Sequence, residues 1–95
     1  MNSKAIVKIR IKNSEINEGI AEIEIEKRTD FYYVSWTAKD SNGKNLGAKS
    51  FPVSFRVIDH SISIENYLQN YITENIQKTK WQRKKAFEIV TWEWL

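Results

Sequence analysis

The residues best suited to chemistry in this 95-residue chain lie between Lys78 and Lys85. Lys78, Lys80, Arg83, Lys84 and Lys85 surround Trp81 with no acid among them. Lysine and arginine neutralise phosphates and an indole stacks on a base, so the pattern fits nucleic-acid binding. The same cations suit an acidic protein surface. They also suit a structural duty, offsetting the negative end of a preceding helix while Trp81 closes the core. A second cluster ends the chain, where Val90, Trp92 and Trp94 would share one face of a strand. Such a pair of indoles either finishes the core or, if Trp94 is exposed, anchors a protein partner. Tyr33, expected on a polar sheet face, is the third candidate.

Catalytic residue types are sparse. Asp59, His60 and Ser61 are adjacent, but a triad needs convergence in space, so they are expected to end a strand and cap a helix. No Walker loop, dinucleotide fingerprint, paired-histidine motif or nucleophile elbow occurs. With no cysteine and one histidine, a transition-metal site is not expected. No loop carries acids at calcium-site spacing. The inventory predicts a protein that is not an enzyme and uses neither cofactor nor metal.

Composition sets the frame for these candidates. The chain is 41% hydrophobic and 13% aromatic, which is too apolar for a disordered chain and sized for a single domain over residues 1–95. Without cysteine the fold must hold by packing, and this, with the absence of a leader-like or membrane-spanning start, predicts a cytoplasmic location. The net charge is +3, but 15 basic residues less the five between Lys78 and Lys85 leave 10 against 12 acids. The abundance of isoleucine, lysine and asparagine fits an AT-rich genome, that of a bacterium of low GC content or of its phage.

The elements that must position the candidates follow from periodicity. Ala5 to Lys12 and Ile20 to Lys27 alternate with period two, with Val7, Ile9, Ile11, Ala21, Ile23 and Ile25 inward. Phe31 to Lys39 and Leu46 to Ile58 are two further strands, joined at Asn42-Gly43, a strong hairpin signal. Pro52 demands an edge or a bulge. Ile64, Leu68, Ile72 and Ile76 then fall on one helical stripe flanked by Tyr67 and Tyr71, with Ser61 or Ser63 as cap and an end near Gln77. The basic segment is expected as a last turn or a loop. Ala86 to Leu95 reads as a final strand. The order β-β-β-β-α-β predicts an α+β fold: an antiparallel sheet of about five strands with one main helix on one face.

A two-residue turn at Asn42-Gly43 would set Val34 opposite Phe51 and Tyr32 opposite Val53. Tyr32, Val34, Trp36, Phe51, Val53, Phe55 and Val57 would then form the apolar face, and Tyr33, Ser35, Thr37, Ser50, Ser54, Arg56 and Ile58 the other. For the first hairpin, Ile11 opposite Ile23 would set Lys12, Arg10 and Lys8 against Glu22, Glu24 and Glu26. Such a ladder neutralises itself and pins register. Glutamates beside the basic stripe would repel phosphate, which argues against reading that stripe as a nucleic-acid surface.

The segment Asn42 to Phe51 resembles part of the small phage-encoded anti-CRISPR proteins of the type I-F class. The pattern is Asn-Gly-Lys, two residues, Gly-Ala, a basic residue, one residue, Phe, met by Asn42, Gly43, Lys44, Gly47, Ala48, Lys49 and Phe51. The resemblance covers about ten residues and implies a short antiparallel sheet leading into a helix. It also implies a non-enzymatic inhibitor that binds the protein surface of a nucleoprotein complex. No contact residue is carried over, since those of the family lie outside this segment. The functions expected are thus a non-catalytic protein-binding module, an inhibitor of phage or mobile-element origin, or alternatively a nucleic-acid-binding domain using Lys78 to Lys85. An open sheet edge or the terminal tryptophans would also permit self-association.

Overall fold

Alternation of branched apolar and charged residues makes the first two strands, and the computed structural model shows them as β1 (Asn2–Lys12) and β2 (Glu18–Lys27). The structure describes residues 2–78, 80–81 and 85–95, the side chains of 80, 81 and 85 excepted. β3 (Phe31–Asp40) and β4 (Asn45–Ser54) follow, then a 3-10 turn (Phe55–Val57) and α1 (Ile64–Lys78). A two-residue strand β5 (Lys80–Trp81) and the long β6 (Lys85–Trp94) end the chain. All pairings are antiparallel, in the order β4-β3-β2-β1-β6-β5. The α+β architecture is as expected, with β5 added where a turn or loop was foreseen. No helix among the described residues is long and apolar enough to cross a membrane.

One sheet face is covered by α1. Val7, Ala21, Val34, Trp36 and Val53 are buried there beneath Leu68, Ile72 and Ile76. The helix begins at Ser63, whose Oγ accepts from the Asn66 N–H at 3.2 Å, the arrangement of an N-cap. Three amides on the helix reach the sheet. Asn75 Oδ1 accepts from Trp36 Nε1 at 3.1 Å, Gln69 Oε1 from Trp94 Nε1 at 3.2 Å, and Gln77 Oε1 from the Ile89 N–H at 3.3 Å. Pro52 lies on the edge strand β4, where a missing donor is tolerated.

The first hairpin departs from the charge ladder. Its register sets Lys4 against Glu24, Lys8 against Ile20 and Arg10 against Glu18, six residues from the ladder expected. The cause is a tighter loop. Asn13 takes φ +60°, and the Ile11 N–H donates to the Asn17 carbonyl at 2.7 Å. Backbone closure outweighs exposed ion pairs, each of which contributes about 1 kcal/mol or less. Lys4 alone keeps a partner on β2, Glu24 at 3.7 Å, while Arg10 and Lys12 turn to Glu88 on β6 at 3.9 and 3.8 Å.

The second hairpin reaches the expected register by another route. Val34 faces Phe51 and Tyr32 faces Val53. The turn, however, spans Ser41, Asn42 and Gly43. Gly43 alone takes a positive φ there, +82°, and its N–H donates to the Asp40 carbonyl at 2.9 Å. This is a type I turn closed by a left-handed glycine, not the two-residue turn. Lys39 then faces Asn45 while Ala38 faces Gly47, so Leu46 is an extra residue in β4. The longer turn and the bulge cancel. Asp40 supports the turn by accepting from the Asn42 and Lys44 N–H groups at 2.9 and 3.0 Å.

Two further phase changes correct the expected faces. The 3-10 turn Phe55–Val57 ends β4 early, leaving Val57 exposed and Ile58 buried, the reverse of strict alternation. In β6, Lys8 faces Thr91 but Ile9 faces Ile89, so Val90 is a bulge residue. Val90 therefore leaves the face it was expected to share with Trp92 and Trp94 and is exposed, while Phe87 and Ile89 join the two tryptophans.

Candidate functional site

The described backbone of the basic segment beyond Lys78, at Lys80, Trp81 and Lys85, lies at the β5 edge of the sheet. Backbone pairing sets Lys80 opposite Ala86 and Ala86 opposite Lys12, so the segment continues the Arg10–Lys12 end of β1. The side chains of Lys80, Trp81 and Lys85, and all of Arg83 and Lys84, lie outside the described residues. Lys78 is exposed in the last turn of α1 and pairs with Glu74 at 3.7 Å. A cation at that end opposes the helix dipole, which is the structural duty foreseen for it.

The terminal indoles face α1. Trp94 is half-buried, meets Trp92 edge-on at 5.1 Å between ring centroids and donates to Gln69. Its ring finishes the core and presents little free surface. Trp92 Nε1 is buried with no hydrogen-bond partner. Tyr33 is exposed on the open face, with the Arg28 guanidinium 5.3 Å from its ring centroid. It lines a shallow groove of about 460 Å³ with Lys4, Glu24, Ser35 and Leu95. Tyr33, Trp94 and Lys78 thus occupy three separate regions.

The structure assembles a group that sequence reasoning passed over. On the flank of α1 beside β4, Tyr67 and Tyr71 stack with centroids 6.2 Å apart, and Tyr71 meets Phe51 of β4 at 5.8 Å. The Tyr67 hydroxyl donates to the Val57 carbonyl at 2.8 Å, which holds the segment after β4 against the helix. Asp59, Ile62, Tyr67, Asn70, Tyr71 and Glu74 line a groove of about 270 Å³. Val57, Ile62 and Tyr71 are exposed around it. The signal was present as an aromatic pair at i and i+4 beside the apolar stripe, a spacing that sets side chains next to one another.

The groove is acidic. Asp59 Oδ1 accepts from the Ser61 hydroxyl at 2.6 Å and from the Ser61 N–H at 2.9 Å. These bonds, the hydroxyl first, hold the Asp59 carboxyl below its ordinary pKa, so it is ionised at neutral pH. The Asp59-His60-Ser61 run is thus a local turn, and the helix cap is Ser63. The exposed Tyr71 beside Asp59 and Glu74, the latter also paired with Lys78 at 3.7 Å, makes a setting for a cationic side chain.

No protein-family model, curated protein or solved structure matches the chain.

Proposed function

We propose that this protein is a non-catalytic protein-binding module, an inhibitor of phage or mobile-element origin that acts in the host cytoplasm on a defence nucleoprotein complex. The observation that carries the reading is the groove of Tyr67, Tyr71, Asp59 and Glu74. Proteins that hold nucleic acid present lysine and arginine to phosphate. An arginine from such a surface would lie over a tyrosine face, worth about 0.5–2 kcal/mol, with the carboxylates beside it. The exposed Tyr71, with Val57 and Ile62 exposed nearby, has the composition of a binding hot spot. The anti-CRISPR-like segment Asn42 to Phe51 supports the same reading and supplies the terminal phenylalanine of this aromatic row.

The test is retention of the purified protein on an immobilised type I-F surveillance complex. Tyr71→Ala and Glu74→Lys should each lower affinity by about tenfold or more, the loss of a hot-spot contact. No retention, or retention indifferent to both substitutions, overturns the reading.

A second reading is nucleic-acid binding through Lys78 to Lys85, favoured by the continuity of this segment with Arg10 and Lys12 across β6. It predicts oligonucleotide affinity that falls steeply with salt. Charge reversal at Lys80, Arg83 and Lys84 should abolish that affinity, and binding left unchanged rejects it.

A further inference from the structure

The sheet face opposite α1 carries opposite charges on its two neighbouring inner strands. Lys4, Lys8 and Arg10 lie along β1, and Glu18, Glu22, Glu24 and Glu26 lie along β2. Register places them in rows: Lys4 beside Glu24, Ile6 beside Glu22, Lys8 beside Ile20 and Arg10 beside Glu18, so the two ion-pair rows flank two in which an isoleucine meets the stem of a charged side chain. Consider a two-fold axis parallel to the strands, running above the seam between β1 and β2. It lays β1 of one copy over β2 of the other without changing the row. Lys4 then meets Glu24 of the second copy, Arg10 meets its Glu18, and the Lys8 stem crosses its Ile20. A face that complements itself in this way is what an isologous dimer requires.

Three other observations point the same way. Ile20, Tyr33, Val90 and Leu95, four of the seven large apolar side chains exposed among the described residues, lie on or beside this face. On its β3–β4 flank the short residues Ser35 and Ser50, hydrogen-bonded to each other at 3.1 Å, lie beside the exposed Tyr33, so a second sheet can approach over the serines while the tyrosine ring reaches across. The area suits a weak dimer. Under this axis β3 lies over β6 of the second copy and β4 over its two-residue β5, so four long strands overlap. They span about 19 Å by about 30 Å. Two such faces bury about 1,150 Å² in total, at the low end where weak, transient contacts fall.

We infer that the protein forms a two-fold dimer through its open sheet face, with β1 of each copy over β2 of the other. The inference goes beyond the proposed function and uses the opposite side of the molecule from the α1 groove, so either can fail alone. The sheets pack aligned, with the strands of the two copies parallel at the seam and diverging away from it with the twist of each sheet. Because the seam holds two ion-pair rows with Ile6 and Ile20 between them and buries a small area, the dimer is weak and salt-sensitive.

Sedimentation equilibrium of the full chain over about 1–500 µM tests it, a range that spans weak dimerisation. The mass should rise from 11.2 kDa toward twice that value with a dissociation constant of about 1–100 µM. Glu24→Lys sets like charges together twice per dimer and should raise that constant at least tenfold. The double exchange Lys4→Glu with Glu24→Lys keeps the pair within each chain, inverts the pattern in both copies, and should restore dimerisation. A mass of 11.2 kDa throughout overturns the inference. So does a dimer indifferent to Glu24→Lys, which would use another surface, or a double exchange that stays monomeric while keeping the wild-type circular dichroism spectrum.

Discussion

Two indoles on the covered side of the sheet stand in opposite electrostatic conditions. Trp36 is 1% exposed and donates to Asn75, which ties β3 to α1. Trp92 buries its N–H without an acceptor. Replacing Trp36 by phenylalanine removes contacts and a satisfied bond and should cost about 1–3 kcal/mol in urea unfolding. Trp92→Phe also relieves an unsatisfied donor, so its net cost should stay within about 1 kcal/mol. Equal costs would contradict this contrast. Asp40→Ala strips two backbone N–H groups of their acceptor and should cost about 1–3 kcal/mol by the same measurement. At Asp59 the effect is one of pH. Its native pKa is lowered by the Ser61 hydroxyl and N–H. Its contribution is therefore complete above the unfolded value of about 3.9 and is lost as pH falls through the lower native value. Ser61→Ala should shrink that acid-range dependence, as read from unfolding midpoints between about pH 5 and pH 2.

At the level of elements, alternation and the helical stripe were legible because each apolar residue reports its own side. Val7, Ile9, Ile11, Ile23 and Ile25 are buried as their parity requires, and Leu68, Ile72 and Ile76 as their spacing requires. What parity cannot carry is an extra residue. Leu46 and Val90 each shift the phase by one, and the 3-10 turn at Phe55–Val57 shifts it again. Val90 illustrates the consequence for stability. Its deletion should leave Phe87, Ile89, Trp92 and Trp94 on the core side and simply regularise β6. The shortened chain should unfold cooperatively with a midpoint close to wild type. Deleting Glu22 from β2 should abolish the cooperative transition, because every side chain beyond it changes face. The first hairpin was misread for a different reason. Its ion-pair ladder was a sound local option, but loop closure at Asn13 and Asn17 selected another register. The aromatic row was hidden because Phe51 and Tyr71 lie twenty residues apart and meet only when α1 packs beside β4.

For the whole molecule, the fold separates an open face of mixed charge from a helix whose flank beside β4 bears tyrosines and acids. Of the basic segment, Lys78 ends α1 and pairs with Glu74 of that flank, and the backbone of Lys80 and Trp81 lies at the edge of the sheet. The class of fold was therefore legible, while the candidate site was not. A groove is a property of packed elements, and the chain signals only the Tyr67–Tyr71 pair at i and i+4, not its meeting with Asp59. As proposed, the protein acts by occupancy. The most direct test is titration of the protein into a fixed amount of type I-F surveillance complex while target-DNA binding is followed. The account predicts loss in proportion to added protein, complete at a fixed molar ratio and recovered after dissociation of the inhibitor. Target binding that is unaffected, or that is lost progressively with time at a small fraction of that ratio, as a catalytic modification would produce, would contradict it.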